Sequence, residues 1–465
     1  MADYDVCFRE GRVYLWGQLL DLDLYVAEEK IALLCRRGEG PSARQVISVA
    51  GKMILPGVID LHAHTRDPGY TQKEDFTTIS QAAAAGGVTT WIDMPNVEPP
   101  TTTVQLFEEK RARAEQASLV DFGHFASGVD LKEIPKLAAA GVTGFKIFQV
   151  SGAYPHDPRL ALNDEGQLLR RFREIAKTGL PCVVHPFNQS LFDFFSEEAF
   201  ARGKPRNHVT FAELYTSEVV WGSAIASLLS LQRESGVRLH VVHTHSARSL
   251  RLLRQAKASG QTVTVEIDPK YFHLGKKDLD EKGPQVCPAG FVTEDPERMA
   301  EIWRSFHDGT IDSVGSDHAP HTKEEIEKQR TDAWGAAMGN PQYDHYLSIF
   351  LNDVHEGKIT LANLVRCLSE NPARILGLFP RKGVLLPGSE ADLVVVDFER
   401  ERILSNEGLY TKVQWSPYAG RKVRGMPVLT MVRGTIVAEN GEVVGKRGHG
   451  KFIPGIAQRG PVTLG

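Results

Sequence analysis

The stretch PGVIDLHAH, residues 56–64, joins an apolar run to a pair of histidines. The run Ile54–Leu61 is apolar apart from Asp60 and does not alternate, which is typical of a parallel strand covered on both faces. His62 and His64 follow at once. Because residues two apart in a strand point to the same side, this spacing predicts two imidazoles facing one space, as a shared metal ion requires.

Seven further short apolar runs follow along the chain, and helix-like segments separate them. These predicted strands are Thr89–Met94, Leu119–Ala126, Gly144–Val150, Pro181–His185, Arg238–His243, Thr262–Ile267 and Ile311–Ser316. Eight strand–helix units favour a closed (β/α)8 barrel of the α/β class, TIM-like in architecture. An open doubly wound sheet would need a GxGxxG turn after its first strand, and this sequence has none there.

The two ends of the chain consist of short strands and turns. We therefore predict a small β-sandwich domain formed by residues 1–54 together with 384–465, and a barrel formed by residues 55–383. Asn440-Gly441 between two apolar runs predicts a hairpin turn. The insertion 186–209 is expected to form a loop or short helix over the barrel mouth. The Gly-rich residues after 446 are expected to form a loose tail.

Composition limits the kind of protein and its partners. The 465 residues include 42% hydrophobic and 24% charged residues, which is typical of a globular protein. A net charge of −4 without basic blocks excludes a polyanion partner such as nucleic acid. No apolar run approaches about 18 residues, so no membrane partner is expected. Five scattered cysteines indicate reduced thiols and a cytoplasmic location.

Polar residues mark the ends of four later strands, and active sites of such barrels lie at those ends. They are Lys146, His185, His243 and Asp317. Each alone has an ordinary explanation, such as a hydrogen-bonded structural histidine or an aspartate that caps a helix. Together with the histidine pair they predict a metal centre. Burial favours the neutral amine of Lys146, and a neutral amine can take up carbon dioxide to become a carbamate that bridges two cations.

The motifs PGVIDLHAH, GFKIF (144–148), HVVHTHSA (240–247) and GSDHAPHTKEE (315–325) resemble those of the amidohydrolase superfamily. Within it the chain is most similar to the cyclic amidases, and the likeness runs from Val46 to the segment WSPYAGRKVRG (415–425). The resemblance implies two divalent metal ions, with zinc as the default. It assigns one metal to His62, His64, carboxylated Lys146 and Asp317, and the other to Lys146, His185 and His243. It also makes Asp317 the catalytic group that carries the proton.

Three further residues bear on the substrate. In dihydroorotases, residues matching Arg66, Asn96 and His321 hold the substrate's carboxylate, for which the planar arginine fork is suited. We therefore expect a dihydroorotase, which interconverts dihydroorotate and N-carbamoyl-aspartate. Allantoinase or hydantoinase/dihydropyrimidinase activity is the alternative, and a non-catalytic scaffold is a third hypothesis. The resemblance also implies a homodimer or homotetramer.

Some positions depart from the dihydroorotase pattern. Pro269-Lys270-Tyr271 stands where the family has PHH or PHY, and Cys287 stands where a substrate loop begins with a polar residue. Lys270 is a candidate to replace the missing contact. Strand alternation predicts that His240 lies on the opposite side from His243 as a structural residue. Tyr154, in the loop after Lys146, is a further candidate to lie over the site.

Overall fold

The computed structural model describes residues 4–151 and 157–458. Eight parallel strands form its central sheet, in the order of the chain. They are β8 (Val58–Ala63), β9 (Val88–Asp93), β10 (Asp121–Ser127), β11 (Gly144–Phe148), β12 (Cys182–His185), β13 (Leu239–Val241), β14 (Val263–Ile267) and β15 (Ser313–Val314). Between the first and last strands, the Ser316 amide donates to Asp60 Oδ1 at 2.9 Å and the His64 amide donates to the His318 carbonyl at 2.9 Å. The predicted barrel is thus confirmed as a nearly closed one.

Helices follow the barrel strands and cover the outside of the sheet. They are α1 (Phe76–Ala85), α2 (Val104–Ala117), α3 (Ile134–Ala140), α4 (Glu165–Thr178), α5 (Gln189–Ala201), α6 (His208–Tyr215), α7 (Glu218–Ser235), α8 (Ala247–Ala258), α9 (Lys270–His273), α10 (Lys276–Lys282), α11 (Pro296–His307), α12 (Lys323–Glu327), α13 (Tyr346–His355), α14 (Leu361–Val365) and α15 (Asn371–Ile375). Polar side chains cap many of their starts: Asp75, for example, accepts from the Thr77 and Thr78 amides. Gly179 and Gly236 end α4 and α7 in the left-handed conformation that glycine adopts readily.

Both ends of the chain contribute to a β domain, as predicted. Its N-terminal strands are β1 (Tyr4–Arg9), β2 (Arg12–Leu15), β3 (Gln18–Leu20), β4 (Leu22–Ala27), β5 (Lys30–Arg36), β6 (Ala43–Ser48) and β7 (Met53–Pro56). Its C-terminal strands are β16 (Leu393–Ile403), β17 (Lys422–Val432), β18 (Thr435–Glu439) and β19 (Glu442–Val443). The sheets run β5-β4-β1-β6 and β19-β18-β17-β16-β7-β2-β3, so β7 pairs with β16 and joins the two ends. The exact domain boundaries stay a prediction.

Of three local expectations, one agrees with the structure and two differ from it. The predicted strand Ile54–Leu61 is two strands, since β7 belongs to the β domain and β8 to the barrel. Asn440 and Gly441 both have positive φ, 53° and 87°, as the predicted hairpin turn requires. The insertion 186–209 contains the 13-residue helix α5, which is longer than expected.

The expectation of a loose tail after residue 446 is wrong as far as residue 458. The chain passes beside the start of β10, where Phe122 donates to the Lys451 carbonyl at 3.1 Å and accepts from the Ile453 amide at 2.7 Å. The Phe452 ring lies 5.6 Å from that of Phe107 on α2. Aromatic packing and backbone pairing therefore hold a segment whose glycines suggested disorder.

Among the described residues, no single helix has the length and apolar character to cross a membrane. The bent pair α6 and α7 meets those two criteria only when both helices are counted together.

Candidate metal centre and active site

Side chains from separate strand ends converge at the barrel mouth. One ligand atom from each of His62, His243 and Asp317 lies within 4.8 Å of the other two. Asp317 Oδ1 is 3.3 Å from His64 Nε2, and the rings of His185 and His243 have centroids 4.6 Å apart. The structure therefore brings the four predicted histidines and the aspartate together, as parallel strands ending at one edge require.

Lys146 lies fully buried on β11, beside this group. Burial and then the charge of Lys146 lower the pKa of His62 and contribute to lowering that of His185. Within the described residues, Nζ of Lys146 and Nε2 of His62 have no hydrogen-bond partner. Burial lowers the pKa of Lys146 to about 8, despite nearby Glu266 and Asp317. An orphaned buried amine among imidazoles fits a carbamate and divalent metals, since an unpaired buried charge is costly.

Hydrogen bonds at the far side of each ring orient these imidazoles. His62 Nδ1 lies 2.7 Å from Glu266 Oε1, and His243 Nδ1 lies 2.8 Å from Asp268 Oδ2. The Tyr215 hydroxyl lies 3.2 Å from His185 Nε2. Such outer contacts fix the tautomer of a histidine that ligates a metal and raise its basicity. For His62 and His243 they direct Nε2 toward the shared space.

Glu266 is a functional residue that the sequence reasoning missed. It contacts His62 through Oε1 and His240 Nε2 through Oε2, at 3.2 Å. Burial, followed by the charge of Asp268, raises the pKa of Glu266 to about 8. His240 therefore faces the barrel interior beneath the site, and its predicted placement on the opposite side from His243 is wrong. A glutamate within the buried run VTVEI was the signal that could have found this layer.

Lys270 contacts the predicted catalytic aspartate. Its Nζ lies 2.5 Å from Asp317 Oδ2 and 2.9 Å from Asp268 Oδ2. Burial opposes the charge of Lys270, but the two carboxylates outweigh burial and raise its pKa. In turn, burial opposes ionisation of Asp317, but the charges of Lys270 and His243 hold its pKa well below the usual range. The site thus holds a fixed ammonium beside an ionised carboxylate.

Three of the predicted site residues adopt a left-handed backbone. The φ angles are 62° for Arg66, 58° for His243 and 45° for Asp317. Non-glycine residues pay a steric cost in this region, and such residues cluster at functional sites. All three lie two or three residues after the end of a barrel strand.

The predicted substrate residues lie partly together. Arg66 donates from Nε to the Pro320 carbonyl at 3.1 Å, and its Nη2 lies 3.0 Å from His321 Nε2. Burial, with the charge of Arg66, lowers the pKa of His321 to about 3. Asn96 is buried, and neither its amide nitrogen nor its amide oxygen has a partner among the described residues. Tyr154 lies outside the described residues.

A cavity of about 330 Å³ opens beside the metal-site residues. His185, His243, Lys270 and Asp317 form its polar end. The remaining wall is largely aromatic and apolar, with Phe187, Phe192, Phe211, Tyr215, Trp334 and Met338 as its larger members. Cys287 is buried behind this wall, with Sγ 3.9 Å from Met338 Sδ. The cavity therefore offers a polar reacting end and an apolar side pocket.

Comparisons with known proteins agree with this geometry. The family model described as "Amidohydrolase family" matches residues 53–437. An L-hydantoinase of Paenarthrobacter aurescens is 35% identical over 97% of this chain and 98% of its own length. A dihydroorotase of Methanothermobacter thermautotrophicus is 32% identical over 89% of this chain and 90% of its own. An allantoinase of Desulfitobacterium hafniense is 30% identical over 96% and 97%.

A solved structure of L-hydantoinase (dihydropyrimidinase) from Arthrobacter aurescens matches with a TM-score of 0.91. It is 33% identical, and the match covers 97% of this chain and all of that one. The predicted cyclic amidase group is confirmed, whereas dihydroorotase is one of several named activities among the relatives. The chain belongs to the amidohydrolase family and is a cyclic amidohydrolase of the hydantoinase/dihydroorotase type, a hydrolase that acts on cyclic amides.

Proposed function

We propose that the protein hydrolyses a ring amide of hydantoins that carry an apolar, aromatic-sized substituent. The cavity supports this substrate class, because its apolar wall lies directly beside Asp317 and His243. A substituent gains binding free energy where aromatic side chains remove it from water. The L-hydantoinase relative, matched over 97% of this chain, supports the same ring class.

The residues at the mouth fit two divalent metal ions, for which we propose zinc. His62, His64, Lys146 as its carbamate, and Asp317 would hold one ion, and Lys146, His185 and His243 the other. Bound there, such ions lower the pKa of water and polarise a carbonyl. Glu266 and Asp268 support this assignment because they orient His62 and His243.

Asp317 is the group we propose to move the proton. It accepts a proton from the attacking water as the water oxygen bonds to the ring carbonyl carbon. It then delivers that proton to the ring nitrogen as the carbon–nitrogen bond breaks, which gives an N-carbamoyl amino acid. Asp317 is only 9% exposed and lies beside the aromatic wall, so little solvent screens the electrostatic contacts around it.

Dihydroorotase is the second candidate, and Asn96 favours it. The amide of this buried residue has no partner within the described residues, and a substrate carboxylate would supply acceptors. Arg66 and His321 already contact each other, so a carboxylate would have to join or replace that contact. Arg66, Asn96 and His321 are therefore the proposed substrate contacts in this alternative only.

Side-by-side assays on 5-benzylhydantoin, unsubstituted hydantoin, dihydroorotate, allantoin and dihydrouracil test the proposal, with Asp317→Asn as the blank. Trp334→Ala should raise KM for 5-benzylhydantoin about tenfold or more, because it removes apolar wall. The same variant should leave KM for unsubstituted hydantoin unchanged. Turnover of dihydroorotate alone, abolished by Arg66→Gln, would reject the hydantoin proposal in favour of the second candidate.

We also propose self-association as a homodimer or homotetramer, and a cytoplasmic location. The first follows from the family resemblance alone, and light scattering on the purified protein tests it. The second agrees with five free cysteines, four of which are buried. Cell fractionation tests it directly.

A further inference from the structure

Four side chains form one continuous polar chain across the barrel mouth. His243 Nδ1 lies 2.8 Å from Asp268 Oδ2, and the same oxygen lies 2.9 Å from Lys270 Nζ. Lys270 Nζ then lies 2.5 Å from Asp317 Oδ2. These contacts join His243, two residues after β13, to Asp317, three residues after β15, through Asp268 and Lys270, which follow β14. It is a bridge between two proposed metal ligands.

The two oxygens of Asp317 have different surroundings. Oδ1 is 3.3 Å from His64 Nε2 and 3.5 Å from His62 Nε2, so it faces the proposed metal position. Oδ2 is held by the Lys270 ammonium on the other side. A carboxylate oxygen has about two lone-pair sites. Oδ2 can therefore accept from Lys270 and still take a proton at the second site.

We infer that Lys270 is a positioning residue that keeps Oδ2 of Asp317 away from the metals and available for proton transfer. Asp268 anchors the ammonium and at the same time fixes the ring of His243. Without the ammonium, both carboxylate oxygens would be open to a cation, and a carboxylate readily binds one cation through both oxygens. Asp317 would then hold metal more firmly and lose the oxygen that moves the proton. This inference rests on the proposed metal-dependent ring opening.

The backbone adds a reason why such a bridge is needed. His243 and Asp317 both have positive φ, 58° and 45°, where a non-glycine residue does not stay without support. Asp268 contacts His243 and Lys270 contacts Asp317, both from the segment that follows β14. Only 2% of Lys270 is exposed, although it also borders the cavity, so its contacts to Asp268 and Asp317 are shielded from solvent screening.

The opposing explanation is an ordinary buried ion pair that only stabilises the fold. Lys382 provides the matched control, because it is a lysine buried to the same degree that contacts two buried aspartates, Asp121 and Asp392, away from the cavity. Removal of a purely structural lysine should lower the free energy of unfolding. If that removal affects the site at all, it should weaken metal binding. If Lys270 instead positions Asp317, its removal should leave metal binding as tight as in wild type or make it tighter.

The test measures metal affinity by chelator competition, and kcat and KM on the ring amide that the wild-type protein opens. Lys270→Met should bind zinc at least as tightly as wild type, because a cation beside the metal is removed. Its kcat should fall about 10²-fold or more with KM changed less than about threefold, as expected for impaired proton transfer. Lys270→Arg, which keeps the charge, should recover part of kcat. Lys382→Met should leave zinc affinity and kcat of the folded protein unchanged.

The outcomes separate the explanations. Weaker zinc binding by Lys270→Met, or an unchanged kcat in the zinc-loaded variant, overturns the inference. If Lys270→Met does not fold, Lys270→Gln answers the same question with a smaller change in polarity. Zinc titration needs no substrate, so an error in the proposed substrate leaves the affinity result interpretable.

Discussion

Two buried clusters of ionisable side chains in this molecule have similar ligand spacing but differ in how their lysines are paired. The mouth cluster comprises His62, His243 and Asp317 with neighbouring Lys146. The base cluster comprises Asp121, Glu390 and Asp392 with Lys382, and it lies where the start of β10 meets the β domain. In each cluster, ligand atoms of the first three residues lie within 4.8 Å of one another, as a metal site requires.

Lys146 and Lys382 distinguish the two clusters, although Lys270 also pairs with Asp317 in the mouth cluster. In the base cluster, Lys382 Nζ lies 2.6 Å from Asp121 Oδ2 and 2.8 Å from Glu390 Oε2, and it also contacts Asp392. In the mouth cluster, Nζ of Lys146 has no hydrogen-bond acceptor within the described residues. Ligand spacing alone is thus a weak indicator of a metal site. A buried lysine without an acceptor, beside such ligand-type side chains, adds an independent indication.

The largest expected effect comes from Lys146→Met. The variant should lose metal and fall to background activity, because the bridging carbamate cannot form. The free energy of unfolding of its metal-free form should exceed that of metal-free wild type by about 1–4 kcal/mol, because a buried unpaired charge becomes an apolar side chain of similar length. Its melting temperature should therefore be higher. Metal analysis and calorimetry of both metal-free proteins measure the two effects. Two retained metals, or a lower melting temperature, would contradict the assignment of Lys146.

The second effect concerns the base cluster and has the opposite sign. Lys382→Met should cost about 3–5 kcal/mol of unfolding free energy, because it leaves the buried Asp392 without its lysine and leaves Asp121 with Arg433 alone. Urea unfolding of the metal-free protein measures this cost. The double variant with Asp392→Asn should recover part of it, because Asp121 keeps its pair with Arg433. A neutral or stabilising Lys382→Met would show that the two clusters do not differ as described.

A smaller effect is the pH dependence of activation. Only the neutral amine of Lys146 takes up carbon dioxide, and its pKa is lowered to about 8 by burial. The rate at which metal-free protein regains activity with zinc at a fixed dissolved carbon dioxide concentration should therefore rise as pH increases through about 8 and then level off. Samples withdrawn at intervals after zinc addition and assayed for ring opening give the rates. A rate that is flat between pH 7 and pH 9 would count against the carbamate.

The smallest effect lies at the exposed rim of the base cluster. The Glu29 side chain is 49% exposed and pairs with Arg433 at 2.9 Å. Glu29→Gln should cost only about 0.2–1 kcal/mol, since solvent screens the pair. The hydrogen bond from Lys451 lowers the pKa of Glu29 from its usual value, so the cost should be present at neutral pH and should be lost as the pH falls through this lowered pKa. Urea titrations at pH 7 and pH 3.5 compare the two conditions. A cost above that of Lys382→Met would invert the ranking.

Much of the site was predictable because parallel strands end at one edge. Each of His62, His64, His185, His243 and Asp317 lies at or just after the carboxyl end of a predicted strand, and the fold brings such positions together. The partners of these residues were not predictable. Glu266, Asp268 and Lys270 lie around β14, and their contacts to His62, His243 and Asp317 cross between strands that are far apart in sequence.

The errors have physical causes of the same kind. His240 was placed by strict strand alternation, but β13 ends at Val241, so alternation does not extend to His243. The glycines after residue 446 suggested disorder, yet pairing with Phe122 orders the segment that includes Phe452. Local pattern predicts direction only inside a regular element, and it carries no information on long-range partners.

The sequence by itself determined the barrel, the β domain formed by both ends, and the set of metal-seeking residues, because periodicity and chain order are local properties. The tertiary structure alone decided which buried charges are paired. Lys382 and Lys146 are both buried lysines, but Lys382 contacts carboxylates from distant segments, whereas Nζ of Lys146 has no hydrogen-bond acceptor within the described residues. Compensation of a buried charge depends on contacts across the fold, and this difference separates the structural cluster from the proposed metal centre.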